Sequence, residues 1–478
     1  MDTHRIVSFP MKKPRPVYKA YHVNNFRTIP QLAKFREGEK MAIEVVGRVF
    51  PFKTNNYVVD HLIDWDNPHQ DPIYILNFPQ KGMLLPRMYA EMNEALRRTS
   101  DRHKLKEIAD GIRWRLNPHP AGQLEHNVPQ LQGEKLRGIQ HKYRETVLFF
   151  PSRGQTCHAY CTFCFRWPQF VGIDELKFAM KEADLLVRYV EEHKEVTDVL
   201  FTGGDPLIMT TKNIARYVHP ILARNVENIR SIRFGTKTLA YWPYRFTTDE
   251  DADDLLRLFE RIVKSGRHVA VMAHFNHPRE LKTEAVRQAI ARIRNTGATI
   301  RTQSPLLNHI NKCPDAWATM WIEQVRLGCI PYYMFVVRDT GAQHFFGVPL
   351  VEAWDVYRKA YLRVSGLART VKGPSMSADP GKIEVLGVKE LFDTKIIVLR
   401  FLQGRNPAWV GKPFFAKYDD SAIWLDDLEP VFEERFFFED EYEKSLPGKA
   451  RHGGRLRVFS EAAAPTSRVM RQVIGEMR

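Results

Sequence analysis

From Thr146 onward the chain alternates short β-rich runs with longer amphipathic helical stretches, and this alternation restricts the fold more than any other property of its 478 residues. Strands are predicted at 147–150, 198–201, 231–234, 268–273, 299–303 and 331–337, with helices at 173–193, 251–264 and 283–296 among the connections. Six βα units in series imply an α/β fold with a parallel sheet. The spacing is short and regular, and no dinucleotide-binding glycine fingerprint follows the first strand, so a curved partial (β/α)6 barrel is expected rather than a Rossmann sheet. In barrels of this kind chemistry sits at the C-terminal ends of the strands. Residues 1–140 read as an N-terminal extension with one helix near 88–112, residues 141–392 as the barrel core, and residues 393–478 as a C-terminal extension. The extension opens with a strand at 394–402 and is expected to pack over the barrel mouth or to mediate self-association as a homo-oligomer. Its tail after Leu446 is expected to be disordered.

Three of the five cysteines fall within eight residues, in Cys157-His-Ala-Tyr-Cys161-Thr-Phe-Cys164, directly after the first barrel strand. Three thiolates spaced in this way can each take one iron of a 4Fe-4S cubane and leave the fourth iron without a protein ligand. A structural zinc site is the competing reading, but it ordinarily uses four ligands from paired Cys-x-x-Cys units, and no second unit exists. His158 is next to Cys157, which makes poor chelate geometry. An odd number of cysteines so clustered is not the distribution of a secreted disulfide framework, and it points to a reducing compartment, expected to be the cytoplasm.

The 71 Lys and Arg residues against 56 Asp and Glu give a formal charge of +15. That raises nucleic acid as a partner, yet the basic residues are dispersed, with modest concentrations only at 12–15 and 449–457. A solvated basic surface is the expectation. No apolar stretch reaches the length of a membrane span.

The cysteine spacing, with the aromatic Phe163 before the third cysteine, resembles the signature of the radical S-adenosylmethionine (SAM) superfamily. The resemblance implies that the open iron is chelated by SAM and that reduction, by a donor such as flavodoxin or ferredoxin, releases a deoxyadenosyl radical. The strand end Thr202-Gly203-Gly204-Asp205-Pro206-Leu207 is similar to the segment of that superfamily that contacts the SAM amino group. Further stretches resemble the lysine 2,3-aminomutase family: His141-Lys142-Tyr143, Cys164-Phe165-Arg166, Arg233-Phe234-Gly235-Thr236, His274-Phe275-Asn276-His277-Pro278, Thr302-Gln303-Ser304-Pro305 and Pro331-Tyr332-Tyr333. They run in family order over more than half the chain.

This second resemblance implies an isomerase that moves the amino group of a small-molecule amino acid from the α to the β carbon through a radical and a pyridoxal phosphate imine. It assigns Lys382 to the imine, Gln303 to the phosphate and Arg166 to the substrate carboxylate, where a guanidinium suits bidentate pairing. The sequence departs from the pattern at three places. Thr146 stands where the family has a phosphate-binding arginine, with Lys142 and Arg144 as substitutes. Ser375-Met376-Ser377-Ala378-Asp379-Pro380 replaces a glycine-rich run. Near the acidic residue that holds the lysine ammonium, the sequence reads Val337-Arg338-Asp339; if Arg338 faces the site, a neutral or acidic side chain is favoured. Two alternatives accompany the aminomutase reading: a radical SAM enzyme without pyridoxal phosphate acting on an amino acid or peptide, and a metal-stabilised nucleic-acid-binding protein.

Overall fold

The computed structural model describes residues 15–446, apart from 121–123 and 125. The tail after Leu446, with its basic segment 449–457, lies outside the described residues. One eleven-stranded sheet dominates, with strands adjacent in the order in which they occur along the chain. They are β1 (Ile139–Tyr143), β2 (Thr146–Phe149), β3 (Asp198–Phe201), β4 (Ser231–Thr236), β5 (His268–His274), β6 (Thr299–Leu306), β7 (Ile330–Val336), β8 (Lys372–Ser377), β9 (Gly381–Leu391), β10 (Thr394–Gly404) and β11 (Pro413–Lys417). Strands β2 to β8 are all parallel. β1 joins one edge antiparallel, and β9, β10 and β11 extend the other edge antiparallel.

The longer helices are α1 (Glu37–Val49), α2 (Pro86–Arg98), α3 (Arg102–Trp114), α4 (Ala183–Glu192), α5 (Thr211–Ala223), α6 (Ala252–Lys264), α7 (Glu284–Asn295), α8 (Pro314–Arg326) and α9 (Leu350–Tyr361). Helices α4 to α9 are the six crossovers between β2 and β8. In α6, Leu255, Leu258, Phe259 and Ile262 form a buried stripe at helical spacing, while Asp253 and Asp254 in the first turn and Arg261 and Lys264 in the last oppose the macrodipole. That stripe packs on alternate residues of the sheet. Phe149, Phe201 and Phe234 are register partners on β2, β3 and β4. Their rings touch in sequence, with centroids 5.5 and 5.3 Å apart, and Phe234 meets Phe259 at 5.3 Å. Each ring is fully buried and contributes about 1.5–3 kcal/mol.

The other face of the sheet is polar, because the period-2 alternation turns Asp198, Arg233, His274, Arg301 and Gln303 away from the helices. This face curls on itself. Lys142 on β1 donates to the carbonyl of Ala378 just past β8, seven steps away in strand order, and Arg405 after β10 donates to Asn127 Oδ1 before β1 at 2.7 Å.

Two sequence expectations need correction. The single helix at 88–112 is two helices, α2 and α3, because Asp101 accepts from the His103 amide at 2.8 Å and starts a new helix. The helix at 173–193 is only α4: Met180 bridges to Pro151 in extended conformation, so the stretch before Ala183 runs alongside the start of the cysteine loop. The boundary expected at 392/393 falls at the tip of the β9–β10 hairpin, where Phe392 and Asp393 both have positive φ, as a two-residue turn of the I′ type requires. The strands on both sides share one sheet. No helix among the described residues is long and apolar enough to cross a membrane.

Candidate active site

The loop after β2 carries all three clustered cysteines, at the C-terminal end of the parallel strands, each half-buried and free. It is held by groups distant in sequence. Lys53 Nζ donates to the Cys157 carbonyl at 2.7 Å, and the Tyr160 amide donates back to the Lys53 carbonyl at 2.8 Å. Asn55 Nδ2 and the Tyr18 hydroxyl donate to the His158 carbonyl at 3.2 and 2.6 Å, and the Thr162 amide donates to the Leu76 carbonyl at 2.9 Å. The N-terminal extension is therefore the scaffold of this loop. Sequence reasoning missed Lys53 and Asn55, since nothing local marks a contact about a hundred residues away.

Desolvation pushes all three thiols up, Cys161 to about 12 and Cys164 to about 11, and repulsion from neighbouring thiols adds to it at Cys157 and Cys161. Bound iron reverses that preference, because a coordinating thiol is deprotonated outright. Among the described residues no three His, Cys, Asp or Glu side chains converge tightly enough to chelate a single ion. His158 is no ligand. Its Nδ1 pairs with Thr238 Oγ1 at 3.1 Å, its ring lies parallel to Trp242, and burial holds it neutral, with its pKa lowered to about 3.

Gly203 and Gly204 lie against the start of the same loop. Gly203 has φ +130°, and a Cβ there would strike the Gln155 side chain; a Cβ on Gly204 would come within 2.5 Å of the Thr156 backbone. The two glycines thus let β3 and the cysteine loop touch. Asp205, expected to contact SAM, is instead a buried hub whose carboxylate is saturated by protein donors. It accepts from the amides of Leu207, Lys237 and Thr238 at 3.0, 2.8 and 3.0 Å, and from the hydroxyls of Thr236 and Thr238 at 2.7 and 2.9 Å. Phe163 packs at 6.2 Å from the His274 ring and 6.3 Å from Phe346. The next residues of the His274 segment brace the site from below. Glu280, fully buried, pairs with Lys237 at 2.5 Å and accepts from the Asn276 amide at 2.5 Å, and Lys237 covers the ring of Tyr241, whose hydroxyl lies 3.9 Å from Cys161 Sγ.

Beyond Cys164 the charge changes sign. Arg166 is 8% exposed, stacks on Phe150 and Phe165 at 4.4 and 4.9 Å, and leaves Nη1 buried with no acceptor. Arg338 covers the same Phe165 ring at 4.4 Å. Asp339 accepts from Asn117 Nδ2 at 3.3 Å, its other oxygen is buried and unpartnered, and burial raises its pKa. Lys382, at the start of β9, lies 4.1 Å from the Tyr333 ring and 6.0 Å from that of Tyr143. It makes no hydrogen bond or ion pair among the described residues. Desolvation, reinforced by Arg233, Arg338 and Lys372, lowers its pKa to about 7. Lys142 belongs to the same group, and burial with the nearby Arg405 and Arg338 drives its pKa well down. Gln303, on β6 beside Tyr333 of β7, presents a half-buried amide without a side-chain partner. Arg144 does not join them: it lies in the turn between β1 and β2, exposed. Thr146 donates instead to Asp198, at 3.0 Å, and Asp198 pairs with Arg233.

The backbone before Lys382 is clamped from three directions. Arg405 donates to Asp379 through its carboxylate at 2.6 Å and its carbonyl at 2.9 Å, and His126 pairs with the other carboxylate oxygen at 3.2 Å. Chemically the donors fit three groups: thiolates for an iron cluster, uncompensated guanidinium for a carboxylate, and a depressed-pKa amine for an aldehyde.

No protein-family model matches the chain. A provisionally named L-lysine 2,3-aminomutase of Aquifex aeolicus is 32% identical over 414 residues, covering 86% of this chain and 95% of that protein. The L-lysine 2,3-aminomutase of Haemophilus influenzae is 27% identical over 241 residues, covering 49% of this chain and 67% of that one. Among solved structures, the radical SAM methyltransferase TsrM of Kitasatospora setae aligns at a TM-score of 0.29 with 15% identity, over 46% of this chain and 45% of its own. The collinear match with the Aquifex protein spans the cysteine loop and the cationic half alike, and the chain belongs to the lysine 2,3-aminomutase family of radical SAM isomerases.

Proposed function

We propose that this enzyme moves the amino group of an amino acid from the α to the β carbon, with a 4Fe-4S cluster on Cys157, Cys161 and Cys164, SAM at the fourth iron, and pyridoxal phosphate on Lys382. The observation that carries the reading is one concave, polar sheet face that presents a cysteine triplet, an unpartnered buried arginine and an unpaired lysine of lowered pKa together. When bound, the cluster with SAM supplies a hydrogen-abstracting radical, and pyridoxal phosphate supplies an electron sink. Arg166 takes the substrate α-carboxylate by its free Nη1, which fixes the α and β carbons relative to the cysteine loop two residues away. Lys382, its amine made partly neutral near pH 7, would anchor the cofactor aldehyde, while Lys142 and the Gln303 amide would take its phosphate and the Tyr143 and Tyr333 rings wall the space between. Backbone groups of Gly203 and Gly204 and the Phe163 ring border the SAM side; Asp205 serves it indirectly, by holding the ends of β3 and β4 in place.

Serial parallel strand order and the contact of β1 with the β8–β10 region support a partial β/α barrel enclosing this site. Within it, residues 141–392 supply the reacting groups, residues 1–140 brace the cysteine loop, and the extension from 393 closes the cationic side. The enzyme acts as a reductant-dependent protein of the cytoplasm. Anaerobic incubation of reconstituted enzyme with reductant, SAM, pyridoxal phosphate and single amino acids tests the proposal. A β-amino acid is the expected product; turnover of SAM with no β-amino acid from any of the twenty would refute it.

A further inference from the structure

Two arginines share one ring. Arg166 and Arg338 lie 4.9 and 4.4 Å from the Phe165 centroid, and neither makes an ion pair among the described residues. Nη1 of Arg166 is buried without an acceptor. Like charges this close to one ring repel. Neither neighbouring acid forms an ion pair with them among the described residues. Asp379 is taken by Arg405 and His126, and Asp339 accepts from Asn117 Nδ2 through one carboxylate oxygen. Two guanidinium groups withdrawn from water and without a paired anion are stabilised when a ligand brings the anions. The proposed function assigns one anion, the α-carboxylate on Arg166, and the inference rests on that assignment. A second position, on Arg338, is left.

We propose that Arg338 binds a second acidic group on the substrate, so that the amino acid rearranged is a dicarboxylic one of the glutamate class rather than lysine. The rearrangement exchanges the amino group on Cα for a hydrogen on Cβ and leaves both carboxylates unchanged, so atoms and charge balance with no further reactant. The same cation could serve the cofactor phosphate, and the experiment separates these sources.

Isothermal titration of anaerobically reconstituted full-length enzyme with SAM, in the presence and absence of pyridoxal phosphate, uses L-glutamate, L-aspartate, L-lysine and inorganic phosphate as probes. Glutamate is expected to bind at least about tenfold more tightly than lysine. Arg338→Gln should weaken that dicarboxylate about 10- to 100-fold, the range for hydrogen bonds to charged groups, and change lysine by less than about twofold. Arg338→Lys, which keeps the charge and loses the fork, should fall between, and it substitutes for the glutamine variant if that one does not fold. Three results would overturn the inference: tighter lysine binding that disappears in Asp339→Asn, loss in Arg338→Gln of phosphate or pyridoxal phosphate affinity in place of dicarboxylate affinity, or no binding of any of the three amino acids. Because the titration is also read without pyridoxal phosphate, failure of the cofactor to load counts against the proposed function while the comparison of amino acids still decides this one.

Discussion

Cys161→Ser enzyme, reconstituted anaerobically, should fold as the wild type does and lose its cluster. The expected drop in SAM cleavage is more than about 10³-fold, since losing even an outer partner of a metal ligand costs about 10–100-fold in affinity or activity. The fold should survive because the loop is fastened through its backbone, by Lys53, Asn55, Tyr18 and the Leu76 carbonyl, and not through the thiols. Cys313→Ser is the control: that residue is exposed at the start of α8, and iron content should not change. Iron and sulfide analysis beside circular dichroism reads both variants. Unaltered iron in Cys161→Ser, with native ellipticity, would remove the triplet from the site.

Lys382 carries the second large effect, and it has two signs. For chemistry the neutral amine is the nucleophile, so the rate at which Lys382 captures pyridoxal phosphate should rise through about pH 7 and level off above it. A solvent-exposed lysine would continue to gain up to its ordinary pKa of about 10.4. Lys382→Ala should abolish the absorbance of the lysine-bound cofactor altogether. For stability, the unfolded chain holds this proton up to about pH 10.4 while the folded chain releases it near 7, so stability from this group increases with pH between those values and is flat below 7. Lys382→Met should therefore stabilise the protein by about 1–4 kcal/mol at pH 6, with the gain gone by about pH 10. Denaturant titration at the two pH values measures it; a stabilisation independent of pH would mean that the ammonium is not held against its preference.

Much of the fold is legible because local and global signals agree. All six expected strands fall within a few residues of their predicted positions, since β-branched and aromatic runs between charged helices admit little else. The errors lie where a short-range feature competes with periodicity. Asp101 caps a new helix inside what reads as one, and Met180 is drawn into a bridge with Pro151. At the site, the triplet, Arg166 and Lys382 stand out by spacing or family register, whereas their partners do not. That Arg166 and Arg338 meet on Phe165, that Lys53 clasps Cys157, and that Arg405 reaches His126 are products of the tertiary fold, which joins residues more than 100 positions apart. Arg144 is two residues from Lys142, but the turn between β1 and β2 leaves it exposed. Asp205 shows the converse, a residue of the right motif whose carboxylate is wholly occupied by its own protein.

The central claim is a radical generator on Cys157, Cys161 and Cys164, and the most direct measurement is SAM cleavage by the reduced, reconstituted enzyme. The reduced wild-type enzyme should hold about four irons per chain and release 5′-deoxyadenosine with methionine, and Cys161→Ser should lose both. Full iron loading with SAM left intact under reduction, or cleavage that persists in the variant, would contradict it.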